Sequence, residues 1–234
     1  MALVFPPLYA ILDAALLQTS EPALLVRMAR ELAESGVELL QVRDKRATAR
    51  QLFESCLALS KSLLPLPGTF PQRLGFIVND RPDVALLSGA GGVHVGQQDL
   101  GVEEARAVVG PERWVGISTH TLEQVDAAER TSADYVAFGP IYATSTKERH
   151  DPVVGLSGLA AARSRTSKSL VAIGGITVER AAEVYAAGAD SLAVAHDLLT
   201  TGSPGARAQA FLEVAGRTSR ASKQPGATHD TRKG

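Results

Sequence analysis

Eight short runs of aliphatic and β-branched residues recur along the chain, each followed by a stretch with helical spacing of its apolar positions. These runs are Leu8 to Asp13, Val37 to Lys45, Leu74 to Asp80, Gly92 to Gln97, Trp114 to Thr119, Asp134 to Ile141, Ser169 to Gly174 and Ser191 to Ala195. Helices are expected over Glu21 to Ser35, Thr48 to Leu64, a short one at Pro82 to Ser88, Val102 to Val109, Leu122 to Ser132, Leu156 to Ser164, Val178 to Ala187 and Pro204 to Arg217. Ser20, Thr121 and Thr177 stand where N-caps are wanted, and Gly36, Gly110 and Gly188 where left-handed residues end helices. Such strict βα order demands a parallel sheet. The first turn, Leu12-Asp13-Ala14-Ala15, lacks the glycine-rich fingerprint of an open dinucleotide-binding sheet, so the expected fold is α/β, a single closed (β/α)8 (TIM) barrel.

Length agrees, since 234 residues lie close to the roughly 250 of such barrels. The barrel domain is expected over residues 1–216, and residues 217–234, poor in apolar side chains, form a polar tail. With 24 Lys plus Arg against 25 Asp plus Glu, the formal charge of -1 argues against a nucleic-acid or membrane binder that relies on a basic surface. Any anion site must be local. The lone Cys56 excludes an internal disulfide and any multi-cysteine metal site and fits a reducing compartment, so a cytoplasmic enzyme is expected. No apolar run reaches the ~18 residues of a membrane span, and the start from Leu8 to Leu17 contains Asp13 with no basic segment before it.

In a barrel of this kind chemistry gathers at the C-terminal ends of the strands. Along the second run, Val37, Leu39, Gln41, Arg43 and Lys45 share a face that begins apolar and ends cationic, although Arg43 could instead pair with a core carboxylate. The third run ends in Asn79-Asp80 and the fourth leads to Gln97-Gln98-Asp99. Either aspartate could cap a helix; two carboxylates on adjacent strand ends beside cations instead suit Mg2+ completed by water and substrate phosphate. His94 has the opposite parity from Val93, Val95, Gln97 and Asp99 and is expected to be a satisfied packing or interface histidine. Ser118 is the better contact candidate on the fifth strand. The hydroxyls of Thr144, Ser145 and Thr146 with the Lys147 ammonium form a polar-ligand loop, and Gly174-Gly175 would let backbone N–H groups approach a phosphate.

Together, Gln41-Val42-Arg43-Asp44-Lys45, Asn79-Asp80-Arg81, Gly92-Val93-His94-Val95-Gly96-Gln97-Gln98-Asp99, Gly116-Ile117-Ser118-Thr119-His120, Thr144-Ser145-Thr146-Lys147 and Ile173-Gly174-Gly175 resemble the thiamine phosphate synthase family from Tyr9 to about His196. The resemblance implies a transferase that couples hydroxymethylpyrimidine diphosphate to a thiazole phosphate, releasing pyrophosphate with Mg2+ required. It implies that the segment Gln41, Val42, Arg43, Asp44 and Lys45, with Asn79, Ser118 and Lys147, holds the pyrimidine diphosphate. Arg43, Lys45, Lys147 and Ser118 would act in catalysis, and Asp80 and Asp99 would ligate the metal. Thr144, Ser145, Thr146, Gly175, Ala195 and His196 would meet the thiazole phosphate. The implied mechanism is dissociative: pyrophosphate leaves, the aminopyrimidine stabilises a methylene cation, and the thiazole nitrogen captures it, with no enzymic nucleophile.

This sequence departs from the family in carrying Ala195-His196-Asp197 where an aliphatic residue and Ser are usual, and Gly91 where Asp is common. Asp197 would oppose an anion if it pointed inward. Two rivals are a thiazole tautomerase of the same fold, which has lost much of the diphosphate and metal set, and a non-catalytic ligand-binding barrel. Retention of Arg43, Lys45, Asp80, Asp99 and Lys147 favours the synthase; oligomeric state is left open.

Overall fold

The computed structural model describes residues 5–63, 75–144 and 152–222, with side chains as far as 218. Its strands are β1 (Leu8–Asp13), β2 (Leu39–Arg43), β3 (Phe76–Asn79), β4 (Gly92–Val95), β5 (Trp114–Thr119), β6 (Tyr135–Phe138), β7 (Ser169–Ile173) and β8 (Ser191–Val194). All neighbours pair in parallel, and β8 closes on β1, giving the expected barrel. The helices are α1 (Ala14–Leu17), α2 (Pro22–Glu34), α3 (Ala49–Leu63), α4 (Pro82–Ser88), α5 (Val102–Val109), α6 (Leu122–Glu129), α7 (Gly155–Arg163), α8 (Val178–Ala186), α9 (His196–Leu199) and α10 (Pro204–Ser222).

Strands buried on both faces need apolar residues at both parities, and β1 is buried at every position. One parity packs outward against the helices, as Leu12, Val42, Val78, Val93 and Val95 do. The other fills the barrel with Tyr9, Ile11, Leu39, Ile77, Tyr135, Ala137, Val171 and Ala193. At the N-terminal end Phe5 stacks on Trp114 at 5.1 Å between ring centroids and lies 4.8 Å from Tyr135, plugging the interior with aromatic rings.

Several element ends differ from expectation for identifiable reasons. Ser20 does not cap α2; its hydroxyl donates to Asp44, and α2 opens after Glu21 with Pro22 in its first turn. Thr121 does cap α6, accepting from Gln124 N at 3.3 Å. The N-terminus of α8 is met from outside its own sequence, by Asp197 accepting from Val178 N at 3.1 Å. Gly36, Gly110 and Gly188 all take positive φ, as their C-terminal positions require. The last helix continues past Arg217 to Ser222. Among the described residues no helix is long and apolar enough to cross a membrane.

Candidate active site

Register sets the cationic strand opposite a carboxylate that sequence reasoning did not assign to the site. Asp13 pairs with Arg43 across β1 and β2, and one Asp13 oxygen makes an ion pair with the guanidinium. The other accepts from Ala15 N at 2.9 Å and Leu16 N at 3.2 Å, capping α1. Arg43 thus has the core carboxylate partner allowed for it, which lowers the net positive charge of the mouth. Lys45, just past β2, reaches Asp80 at 3.0 Å. Two members of the same segment turn elsewhere. Val42 packs between barrel and helices, and Asp44 folds its own loop by accepting from Arg46 N and Ala47 N, both at 3.0 Å.

Asp80 and Asp99 converge from the ends of β3 and β4, though by turns rather than by strand parity. Asp80 adopts a left-handed conformation (φ 62°), which few non-glycine residues take. The chain leaves β4 at Val95, and Asp99 folds back so that its carboxylate accepts from Gly96 N at 2.8 Å. Burial raises the Asp80 carboxyl above its ordinary 3.8; hydrogen bonding to Lys45 lowers it, and the adjoining Asp99 carboxyl raises it again. Adjacent hard oxygen donors of this kind fit a Mg2+ ion that takes one or two carboxylates and leaves its other positions to water and phosphate. Among the described residues no group of three or more His, Cys, Asp or Glu gathers where it could hold a metal ion.

Beneath the charged mouth lies a polar chain. Gln41 Nε2 donates to Tyr9 Oη at 2.7 Å, Tyr9 and Tyr135 hydroxyls meet at 3.0 Å, Tyr135 Oη meets His94 Nδ1 at 3.0 Å, and His94 Nε2 meets Ser118 Oγ at 2.8 Å. His94 is therefore satisfied, as expected, by partners inside the barrel. Burial pushes both phenols above their ordinary 10.0, so both keep their protons. Gly116 makes the crossing feasible: it lies between His94 and Tyr135 in register, and a Cβ there would overlap the Tyr135 ring and hydroxyl. Gln97 reaches back to donate to the Ser118 carbonyl at 2.7 Å. Tyr9, Tyr135 and Gly116 went unassigned in the sequence; the signal was the inward row of small or polar residues at Gly92, His94, Gly116 and Ser118.

On the opposite wall the glycine pair is shaped by protein packing. Gly174 and Gly175 have φ of 101° and 63°, and Cβ atoms there would lie 2.6 Å from Pro140 Cβ and 2.6 Å from the Ala143 carbonyl. Tyr142 N donates to the Gly174 carbonyl at 3.0 Å, fastening the loop after β6 onto that after β7. Thr144 lies at the end of this fastened loop; Ser145, Thr146 and Lys147 lie outside the described residues. After β8, Ala195 precedes α9 and His196 is exposed. Asp197 is 5% exposed and is clasped by Arg207 at 2.8 and 2.9 Å, so its charge has a cationic partner.

A closed parallel barrel with Gln41, Arg43, Lys45, Asn79, Asp80, Asp99 and Ser118 on consecutive strand ends β2 to β5 defines the class: a (β/α)8 enzyme with a charged, polar-floored mouth. Residues 8–198 match the family model described as thiamine monophosphate synthase. The chain is 48% identical over 214 residues to the thiamine-phosphate synthase of Koribacter versatilis, covering 91% of this chain and 97% of the relative. It is 44% identical over 169 residues to that of Chlorobium phaeovibrioides, covering 72% and 78%. The solved thiamine phosphate pyrophosphorylase from Pyrococcus furiosus superposes with a TM-score of 0.78 at 30% identity, covering 91% of this chain and 96% of that one. The chain belongs to the thiamine monophosphate synthase family and is a transferase of that family.

Proposed function

We propose that this protein joins 4-amino-2-methyl-5-(diphosphooxymethyl)pyrimidine to 4-methyl-5-(2-phosphooxyethyl)thiazole, or its carboxylate form, giving thiamine phosphate and pyrophosphate. The observation that carries this reading is the convergence of Lys45, Asp80 and Asp99 at the rim directly above the Gln41-to-Ser118 polar floor, in a chain of this family. The rim suits a diphosphate and the floor suits a ring bearing an amino group and ring nitrogens.

In this mechanism Arg43, Lys45 and Lys147 stabilise charge as it accumulates on the departing diphosphate. That is the main service an enzyme can offer a bond that breaks by dissociation. Asp80 and Asp99 would hold Mg2+, which when bound supplies further positive charge to the same oxygens. Gln41 and Asn79 orient the pyrimidine, Ser118 meets its polar edge, and the loop through Thr144, Ser145 and Thr146 with Gly175, Ala195 and His196 sets the thiazole phosphate. Holding the two rings in line replaces a bimolecular encounter by a positioned one. Asp13 tempers Arg43 when no diphosphate is present and fixes the guanidinium in place.

The test is incubation with both substrates and Mg2+, with thiamine phosphate detected by the fluorescence of its oxidised form. Formation of thiamine phosphate with equimolar pyrophosphate is expected, and its loss in excess EDTA supports the metal. Absence of product with folded protein, or isomerisation of the thiazole alone, overturns the reading; undiminished turnover in EDTA overturns the metal assignment.

A further inference from the structure

The buried chain from Gln41 to Ser118 has a direction. A phenol carries one proton, and leaving a buried hydroxyl proton without an acceptor is destabilising. Tyr9 is 1% exposed and its oxygen accepts from the Gln41 amide, a donor that cannot take a proton in return through Nε2. The Tyr9 proton must therefore go to Tyr135. Tyr135, fully buried, accepts it and passes its own proton toward His94 Nδ1. An imidazole that accepts at Nδ1 carries its single proton at Nε2, which faces Ser118 Oγ. Ser118 is half-buried at the end of this row, and with its oxygen accepting from the imidazole its own proton is left to be donated to a partner other than His94.

We infer that Gln41, beyond its proposed place at the pyrimidine, also acts at a distance as a positioning residue: the orientation of its amide fixes the His94 tautomer through Tyr9 and Tyr135, and so makes Ser118 a hydrogen-bond donor toward the ligand. The opposite arrangement holds the same number of protons. If residue 41 were an acceptor, Tyr9 would donate to it, Tyr135 to Tyr9 and His94 Nδ1 to Tyr135, while Ser118 would donate into the floor and present only lone pairs to the mouth. The floor is thus a two-state element switched at one end and sensed at the other. That the group meeting Ser118 is an acceptor atom of the pyrimidine rests on the proposed function; the direction of the chain does not.

The experiment is 15N NMR of histidine-labelled full-length protein, with the His94 signals identified by difference from His94→Gln. Wild type should show a protonated Nε2 and an unprotonated Nδ1. Gln41→Glu, whose carboxylate can only accept, should exchange those two assignments. In a Tyr9→Phe background, where the chain is cut, adding Gln41→Glu should leave the His94 signals unchanged. If Gln41→Glu does not fold, Gln41→Met serves, since removing the fixed donor should turn the single tautomer into a mixture. A wild-type proton on Nδ1, no exchange in the folded Glu or Met variant, or an equal response in the Tyr9→Phe background overturns the inference. Expected spectra from a protein that makes no thiamine phosphate would overturn the functional reading alone.

Discussion

Arg207 holds the Asp197 carboxylate at the eighth strand end, and its removal has a calculable cost. Asp197 is 5% exposed and receives the Arg207 guanidinium at 2.8 and 2.9 Å, besides the Val178 N–H at 3.1 Å. Breaking a buried pair by deleting one partner costs about 3–5 kcal/mol. The Arg207 side chain is 24% exposed, and the N–H at the start of α8 remains with Asp197, so a discounted ~2–3 kcal/mol is expected for Arg207→Leu. The Glu179 contact adds little because that carboxylate is largely in water. At ~2–4 °C per kcal/mol for a chain of this size, Tm should fall by roughly 4–12 °C. Urea denaturation of Arg207→Leu, Asp197→Asn and the double variant measures the coupling. Asp197→Asn keeps an oxygen for Val178 N and removes the charge, so the double variant should recover most of the loss. A single Arg207→Leu within ~0.5 kcal/mol of wild type, or no recovery in the double, would refute the reasoning.

Other outcomes follow from the same geometry. Gly116→Ala places a methyl in the Tyr135 ring and should cost ~1–3 kcal/mol by overpacking, measured by urea unfolding. Asp80, whose folded carboxyl titrates above its ordinary 3.8, binds more protons folded than unfolded, so without divalent ions its contribution should decline as pH rises through 3.8 toward the raised folded value. Asp99→Asn should flatten that decline in a pH series of melts while severely weakening turnover. Lys147→Ala should lower kcat more than it raises the thiazole KM; a pure KM effect in steady-state kinetics would contradict a role at the leaving diphosphate.

Strand order was legible because each parallel strand must be apolar on both faces, and β1 and β5 have the limits the sequence implies. The four-residue helices α1 and α9 were not, since so short a segment shows no period. In β2 the alternation of Leu39, Gln41 and Arg43 pointed to the interior correctly. In β4 it misled: Gln97 and Asp99 share parity with Val93 and Val95, which pack outward, and they reach the mouth only because the strand stops at Val95 and the chain turns. The Asp13 partnership with Arg43, 30 positions apart, depends on the β1–β2 register, and the Tyr9–Tyr135 contact, 126 positions apart, spans an interior that exists only once the barrel closes. Asp197 looked hazardous for an anion because its partner, Arg207, sits on a later helix.

The ring of Phe5 against Trp114 and Tyr135 makes the cylinder a cup rather than a pipe. Among the described residues these rings cover the N-terminal end of the interior, so a molecule that fills the opposite rim would also shield the phenol protons from bulk water. Occupancy of the cup should therefore be visible as retarded deuterium uptake at hydroxyls the occupant never touches.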